Sequence, residues 1–413
     1  LKEGYIELKI LLISYYPLPY PGGIWTFASL LKKGLERLGH TVDILSHNPD
    51  ATKFRIINRQ PELTISQLSP FINEKITETI PSLYSNEWIY QVELFRYSLE
   101  LSALYYGIQQ YDIIHALDVT AARAISRIKP KHIPLITSAL GNLSKDIFYF
   151  LKSIYRHKTD QQLLESFEYQ YYRTIEHEGY HSSDLIHSPS NWMHSNIMNN
   201  FSIPSDKLFT FSYGMDVEEF LKPSDVDFVN SSPKDKKIIL FVGRLVYLKG
   251  IHHIIDALAM LKGDRNDWEC WIIGEGDLKH ELQEQCQTLG LTNEVKFLGV
   301  SDNVSHFLRQ ADIFVHPSLY DTQPYSIMEA QISGVPVIVS DAGGLPEMVE
   351  IGKSGLITEV GNIQELCEQI KYLLANDAIR KQLASDTKGW AQAHWSIDKM
   401  VNNFLAMYKH VKR

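Results

Sequence analysis

Apolar residues recur along this chain in two rhythms. Short unbroken runs, such as LKILLIS at residues 8–14 and TVDILSH at 41–47, read as strands covered on both faces. Between them, Ile24, Phe27, Leu31, Leu35 and Leu38 fall on one stripe of a helix, with Lys32, Lys33, Glu36 and Arg37 opposite. Gly39 is placed to end that helix. Strand, short loop, amphipathic helix and strand make a βαβ unit, whose sheet should be parallel.

The pattern repeats. YDIIHALD (111–118) and IPLITSALG (133–141) predict strands around the helix VTAARAISRI (119–128). A polar, aromatic helical stretch follows over residues 144–183, and DLIHSPS (184–190) is a further strand. The segment KPSDVDFVNSSPKDKK (222–237) is rich in Pro, Ser, Asp and Lys and reads as a linker. A second series then opens with strands IILFVGR, WECWIIGEG, VKFLGV, DIFVHPS, VPVIVSD and GLITEV. Amphipathic helices separate them, as in Ile363, Leu366, Ile370 and Leu373. The expected fold is α/β, two tandem Rossmann-like doubly wound parallel-sheet domains facing a cleft. The boundaries are 1–212, a linker 213–237, 238–395, and a last helix 396–413 that crosses back to the first domain.

A length of 413 residues suits two such domains of about 200 residues each. Net charge is −9, so nucleic acid is not expected as a partner. Cys270, Cys286 and Cys367 form no CxxC pair and read as reduced, buried thiols rather than a disulfide frame or zinc site. No apolar run reaches the ~18 residues of a membrane span. The expected address is the cytoplasm, with peripheral contact at the inner face of the membrane left open.

Candidate chemistry sits where strands end. In FVGRLVYLKGI, Arg244 and Lys249 follow a strand, and Gly250 opens a helix. Two cations beside a helix N-terminus suit a diphosphate, and equally fit a solvated surface pair. Gly22 and Gly23 follow the first strand and would let backbone amides approach a phosphate, or simply form a turn. In DTQPYSIMEA, Pro324 fits a helix start, leaving the amides of Tyr325, Ser326 and Ile327 for an anion. Glu329 would accept hydrogen bonds from two ribose hydroxyls, and Asp321 would lie near a sugar attached to the diphosphate. The plainer reading makes Asp321 a helix cap and Glu329 a surface acid. Gly274 and Gly276 read as a strand-end turn, because Lys279 stands where a dinucleotide fingerprint needs its third glycine. Asp225 and Asp227 imitate a metal-binding DxD but fall in the linker.

VGRL…KG, IIGEGD, VKFLG, ADIFVHPS, the two acids eight positions apart, SGVPVIVSDAGGLPEMV and GLI occur in the order seen in glycosyltransferase family 4. The chain resembles these retaining enzymes of the GT-B fold over nearly its whole length, most specifically over residues 238–358. The resemblance implies an acceptor-side first domain and a second domain that binds a nucleotide-diphosphate sugar, a UDP-sugar being favoured. It implies that Arg244 and Lys249 hold the diphosphate, Glu329 the ribose and Asp321 the donor sugar, and that Gly22 and Gly23 face the diphosphate. Backbone near Gly299 and Val300 would read the base. No metal and no cofactor are implied. The acceptor would be a saccharide, lipid-linked or other hydroxyl compound, as in bacterial surface polysaccharide or glycoconjugate synthesis.

Three positions depart from the family pattern. Leu140 stands where the family commonly has a His that supports the reacting sugar. Asp321 replaces the usual Glu, and Pro324 removes an amide where relatives have Gly. The strand end HALD keeps His115 and Asp118, and His115 is expected to face the cleft as a catalytic candidate. A weakly active or inactive nucleotide-sugar-binding protein is the alternative these departures raise. An epimerase or phosphorylase of the same fold is another, although the acid/base groups such enzymes carry are not found.

Overall fold

The structure, a computed structural model, describes residues 7–222 and 235–412. Asp225, Asp227, part of the linker 213–237 and Arg413 lie outside those residues. The chain divides into two compact units. One holds Leu1–Phe148, Lys158–Ser212 and Ile397–Arg413, and the other holds Tyr149–His157 and Tyr213–Ser396.

The first unit carries an eight-stranded sheet. Its strands are β1 (Lys9–Ile13), β2 (Thr41–His47), β3 (Lys53–Ile56), β4 (Leu63–Thr64), β5 (Ile113–Ala116), β6 (Leu135–Ser138), β7 (Leu185–Ser188) and β8 (Leu208–Thr210), in spatial order β4-β3-β2-β1-β5-β6-β7-β8. Six strands run parallel, as the βαβ pattern predicts. β3 and β4 instead extend one edge in antiparallel fashion. They are short, and nothing in their spacing announces them.

Helix Gly23–Arg37 ends as its sequence indicates, with Gly39 at φ 87° and its amide donating to the Glu36 carbonyl at 2.9 Å. Helix Ile397–Val411 packs on it. Gly34 permits this approach, because a Cβ there would stand 2.3 Å from Val401 Cγ2. The expected helical stretch over 144–183 is three helices, Leu143–Ile154, Asp160–Leu164 and Phe167–His181. Thr159 and Ser166 restart the chain by capping with their side chains.

The second unit carries β9 (Lys237–Val242), β10 (Trp268–Ile273), β11 (Val295–Gly299), β12 (Ile313–His316), β13 (Val337–Ser340) and β14 (Gly355–Thr358), all parallel, in the order β11-β10-β9-β12-β13-β14. This is the doubly wound order, and its direction of winding reverses between β9 and β12. In such sheets ligands bind outside the carboxyl ends of the strands at the reversal. The core beneath is tight: Ile239, Phe241, Ile313, Val315 and Ile338 pack with Ile254, Leu258, Ile370 and Leu373 from the covering helices. No helix among the described residues is long and apolar enough to cross a membrane.

Candidate active site

The site is built where β9 and β12 end side by side. After β9 the chain passes Arg244, whose exposed guanidinium has no ion pair or side-chain hydrogen bond among the described residues. A single turn, Tyr247–Lys249, then leads through Gly250 into helix Ile251–Lys262. Gly250 has φ 66°, and a Cβ on it would lie 2.2 Å from the Pro317 carbonyl oxygen. Only glycine lets the loop after β9 close against the loop after β12. The Leu319 amide, donating to the Leu248 carbonyl at 2.8 Å, holds the two loops together.

After β12 the chain presents His316, Ser318 and Asp321. Lys249 Nζ pairs with Asp321 Oδ2. The same oxygen meets His316 Nε2 at 2.8 Å and Ser318 Oγ at 3.4 Å. Asp321 Oδ1 accepts from its neighbour's amide, Thr322 N, at 3.1 Å. Burial alone would raise the pKa of this carboxyl, but the Lys249 charge and the His316 hydrogen bond outweigh it and hold the group well below the usual carboxylate range. Burial lowers the pKa of His316, so its ring is neutral near pH 7. Asp321, expected near the hydroxyls of the donor sugar, is held by the cation beside it, because a buried carboxylate takes the nearest donors. It is not the helix cap, a position that falls to Pro324.

Helix Tyr325–Ile332 follows, with no side-chain cap at its N-terminus. The Ile327 amide is already bonded to the Pro324 carbonyl at 3.2 Å, which corrects its expected role as an anion donor. The amides of Tyr325 and Ser326 remain at the open end of the helix. Glu329 stands one turn in, half-buried, and its carboxyl has no side-chain partner among the described residues. Burial pushes it up to about 7. Tyr325, four residues earlier on the same face, stacks on Tyr213 with ring centroids 5.6 Å apart, and its buried hydroxyl also lacks a partner.

The second unit therefore gathers Arg244, Lys249, Asp321, Tyr325, Ser326 and Glu329 around one strand-end region. Gly299 ends the edge strand β11, two strands from β9, and Val300 follows it. The Gly299 carbonyl accepts the Gly274 amide at 2.8 Å, and Val300 is exposed. Gly22 and Gly23 belong to the first unit and open its first helix, with Gly22 at φ 150°.

His115 also belongs to the first unit, and its expected place on an open face is corrected. Its ring is fully buried against Phe27 and Phe404. Both nitrogens are engaged, Nδ1 with the Tyr408 hydroxyl at 2.8 Å and Nε2 with Ser138 Oγ at 2.7 Å. Burial pushes its pKa down to about 3, so it is a neutral core residue. Asp118 caps the helix Val119–Ser126. Leu140 sits half-buried in the turn after β6.

Sequence reading passed over His316 and Ser318. The signal was present, since HPS places a polar ring on the last residue of an otherwise apolar strand, five positions before an acid.

Comparison with known proteins agrees with this architecture. Residues 21–219 match the family described as Glycosyltransferase Family 4, and residues 224–390 match Glycosyl transferases group 1. An uncharacterised glycosyltransferase of Methanocaldococcus jannaschii is 25% identical over 422 aligned positions, spanning 97% of this chain and 98% of the relative. The N,N'-diacetylbacillosaminyl-diphospho-undecaprenol alpha-1,3-N-acetylgalactosaminyltransferase of Campylobacter jejuni is 26% identical over 54% of this chain and 59% of its own length. Among solved structures, Anabaena HepE in complex with UDP superposes with a TM-score of 0.63 at 19% identity, over 97% of this chain and 100% of that one. The chain belongs to the group 1 glycosyltransferases and is a sugar-transferring enzyme built from two parallel-sheet domains of the GT-B kind.

Proposed function

We propose that the enzyme moves a sugar from a nucleotide-diphosphate donor, a UDP-sugar being favoured, to a hydroxyl acceptor with retention of configuration and without a metal ion. The observation that carries the reading is the strand-end cluster of the second unit. A held ammonium and an open helix N-terminus stand with a guanidinium and a carboxyl that have no side-chain partner among the described residues. Arg244, Lys249 and the amides of Tyr325 and Ser326 take the two phosphates, and Glu329 takes the ribose hydroxyls.

As the bond between the anomeric carbon and the phosphate oxygen breaks, charge grows on the leaving diphosphate. Fixed cations and amides stabilise it without reorganising. The acceptor hydroxyl forms the new carbon–oxygen bond on the face the phosphate is leaving, and its proton passes to a departing phosphate oxygen. No separate base is then required. The UDP held by HepE supports the choice of donor. The lipid-linked sugar in the Campylobacter relative's name supports an acceptor in surface polysaccharide or glycoconjugate assembly. Peripheral contact with a membrane surface and a cytoplasmic location fit such an acceptor.

A thermal-shift panel with UDP, GDP, ADP, dTDP and their sugar forms tests the reading. A ligand at about 100 times its Kd adds about 2.7 kcal/mol to native stability. One base should raise the melting temperature, and Glu329→Ala should abolish the rise. Well-folded protein that responds to none of them would refute the assignment.

A further inference from the structure

Resting on that donor-site reading, we infer that His316 is a positioning residue which aims Lys249 at the diphosphate through Asp321. His316 ends β12 and its ring is almost wholly buried. It lies parallel to Phe241 (centroids 5.9 Å apart, 12° between planes) and to Phe314 (6.3 Å, 9°). A carboxylate only accepts, so the 2.8 Å contact with Asp321 Oδ2 puts the ring proton on Nε2. Ser318 Oγ lies 3.0 Å from the same nitrogen, and the Ser340 hydroxyl fixes the Ser318 carbonyl at 2.5 Å. Nδ1 is buried with no hydrogen-bond partner among the described residues.

A core of this kind ordinarily avoids an orphaned nitrogen, and a phenyl ring would fill the place beside Phe241 and Phe314 without one. What the imidazole adds is the Nε2–H that holds Asp321 Oδ2. That oxygen in turn holds the only ammonium among the described residues that pairs with Asp321. A long, flexible Lys stem is thereby given one direction before the donor arrives, which removes ordering cost at binding.

The probes are UDP against UMP, with GDP/GMP and ADP/AMP pairs run beside them, measured by calorimetry on the full chain. The ratio of diphosphate to monophosphate affinity reads the grip on the second phosphate, and the Lys249→Ala background isolates the share of Lys249 in it. His316→Phe keeps the aromatic slot filled and should lower that ratio by about fivefold or more, with monophosphate affinity changed less than about twofold. His316→Gln, which returns a donor near Nε2, should recover most of the ratio. In a Lys249→Ala background, His316→Phe should have no further effect on it. A residue serving only packing gives the reverse order, with Phe retaining the ratio and Gln losing it. That result, or an unchanged ratio in folded His316→Phe, overturns the inference while leaving the donor site intact. If Gln does not fold, the comparison of His316→Phe with and without Lys249 decides alone. A native chain that binds none of the three diphosphates instead refutes the donor-site reading itself.

Discussion

Lys249 and Asp321 form an ion pair whose side chains are only 12% and 13% exposed. They are 72 residues apart in sequence and meet because β9 and β12 are adjacent at the point where the sheet reverses. The pair is neutral as it stands. Arg244, by contrast, stands on the neighbouring loop with no ion-pair partner among the described residues. The two cations are therefore unequal: Arg244 is available to an incoming anion at once, and Lys249 is held in direction by its partner.

Arg244→Ala and Lys249→Ala should each raise the barrier to sugar transfer by about 2–4 kcal/mol, if they stabilise the leaving diphosphate as oxyanion donors do. Steady-state turnover with a UDP-sugar and a competent acceptor measures this. Near-native rates in both variants would remove these residues from the mechanism.

Asp321→Asn should cost stability, about 3 kcal/mol near pH 7, because it leaves the Lys249 ammonium facing a neutral amide in a largely buried place. The pH dependence has a definite sign. The folded-state pKa of Asp321 is depressed, so its contribution is complete above the unfolded carboxyl value of about 3.9 and is lost as pH falls through the folded value. Denaturant unfolding of native and variant chains should therefore show a constant gap from pH 5 to 7 that narrows in strong acid. A gap that widens on acidification would contradict the pairing.

The strands of both sheets were legible in the sequence because buried parallel strands leave unbroken apolar runs, as in IILFVGR and DIFVHPS. β3, β4 and β8 were not, since strands of four, two and three residues are too short to show a period. At the site, the positions of Arg244, Lys249 and Asp321 after strand ends, and of Glu329 one turn into a helix, followed from motif order. Their pairing did not. Which carboxylate is taken and which is free depends on the register of β9 against β12, a relationship that no local pattern encodes. His115 failed for the same reason: a polar residue at a strand end reads alike whether it opens to solvent or lies under Phe27 and Phe404.

Excess EDTA should leave turnover unchanged. In the proposed mechanism the leaving charge is met by Arg244, Lys249 and helix-end amides, with no step assigned to a divalent ion. Loss of activity on chelation, restored by adding Mg²⁺ or Mn²⁺, would require a different account of leaving-group stabilisation.

Glu329 gives the sharpest test, because its stability and binding effects have opposite signs. Burial raises its folded-state pKa to about 7. The penalty for ionising it is absent below the unfolded value of about 4.3, develops as pH rises, and is complete above about 7. Glu329→Gln should thus be stabilising by about 1–3 kcal/mol at pH 8 and near neutral at pH 4. Ligand binding runs the other way, because the ionised carboxylate accepts both ribose hydroxyls while the protonated one competes as a donor. Uridine nucleotide affinity should rise from pH 6 to 8 in the native chain more than in Glu329→Gln, the variant serving as control for titration of the phosphate itself. A variant that binds as tightly as the native chain at pH 8, yet is more stable, would make Glu329 a buried acid with no part in holding the donor.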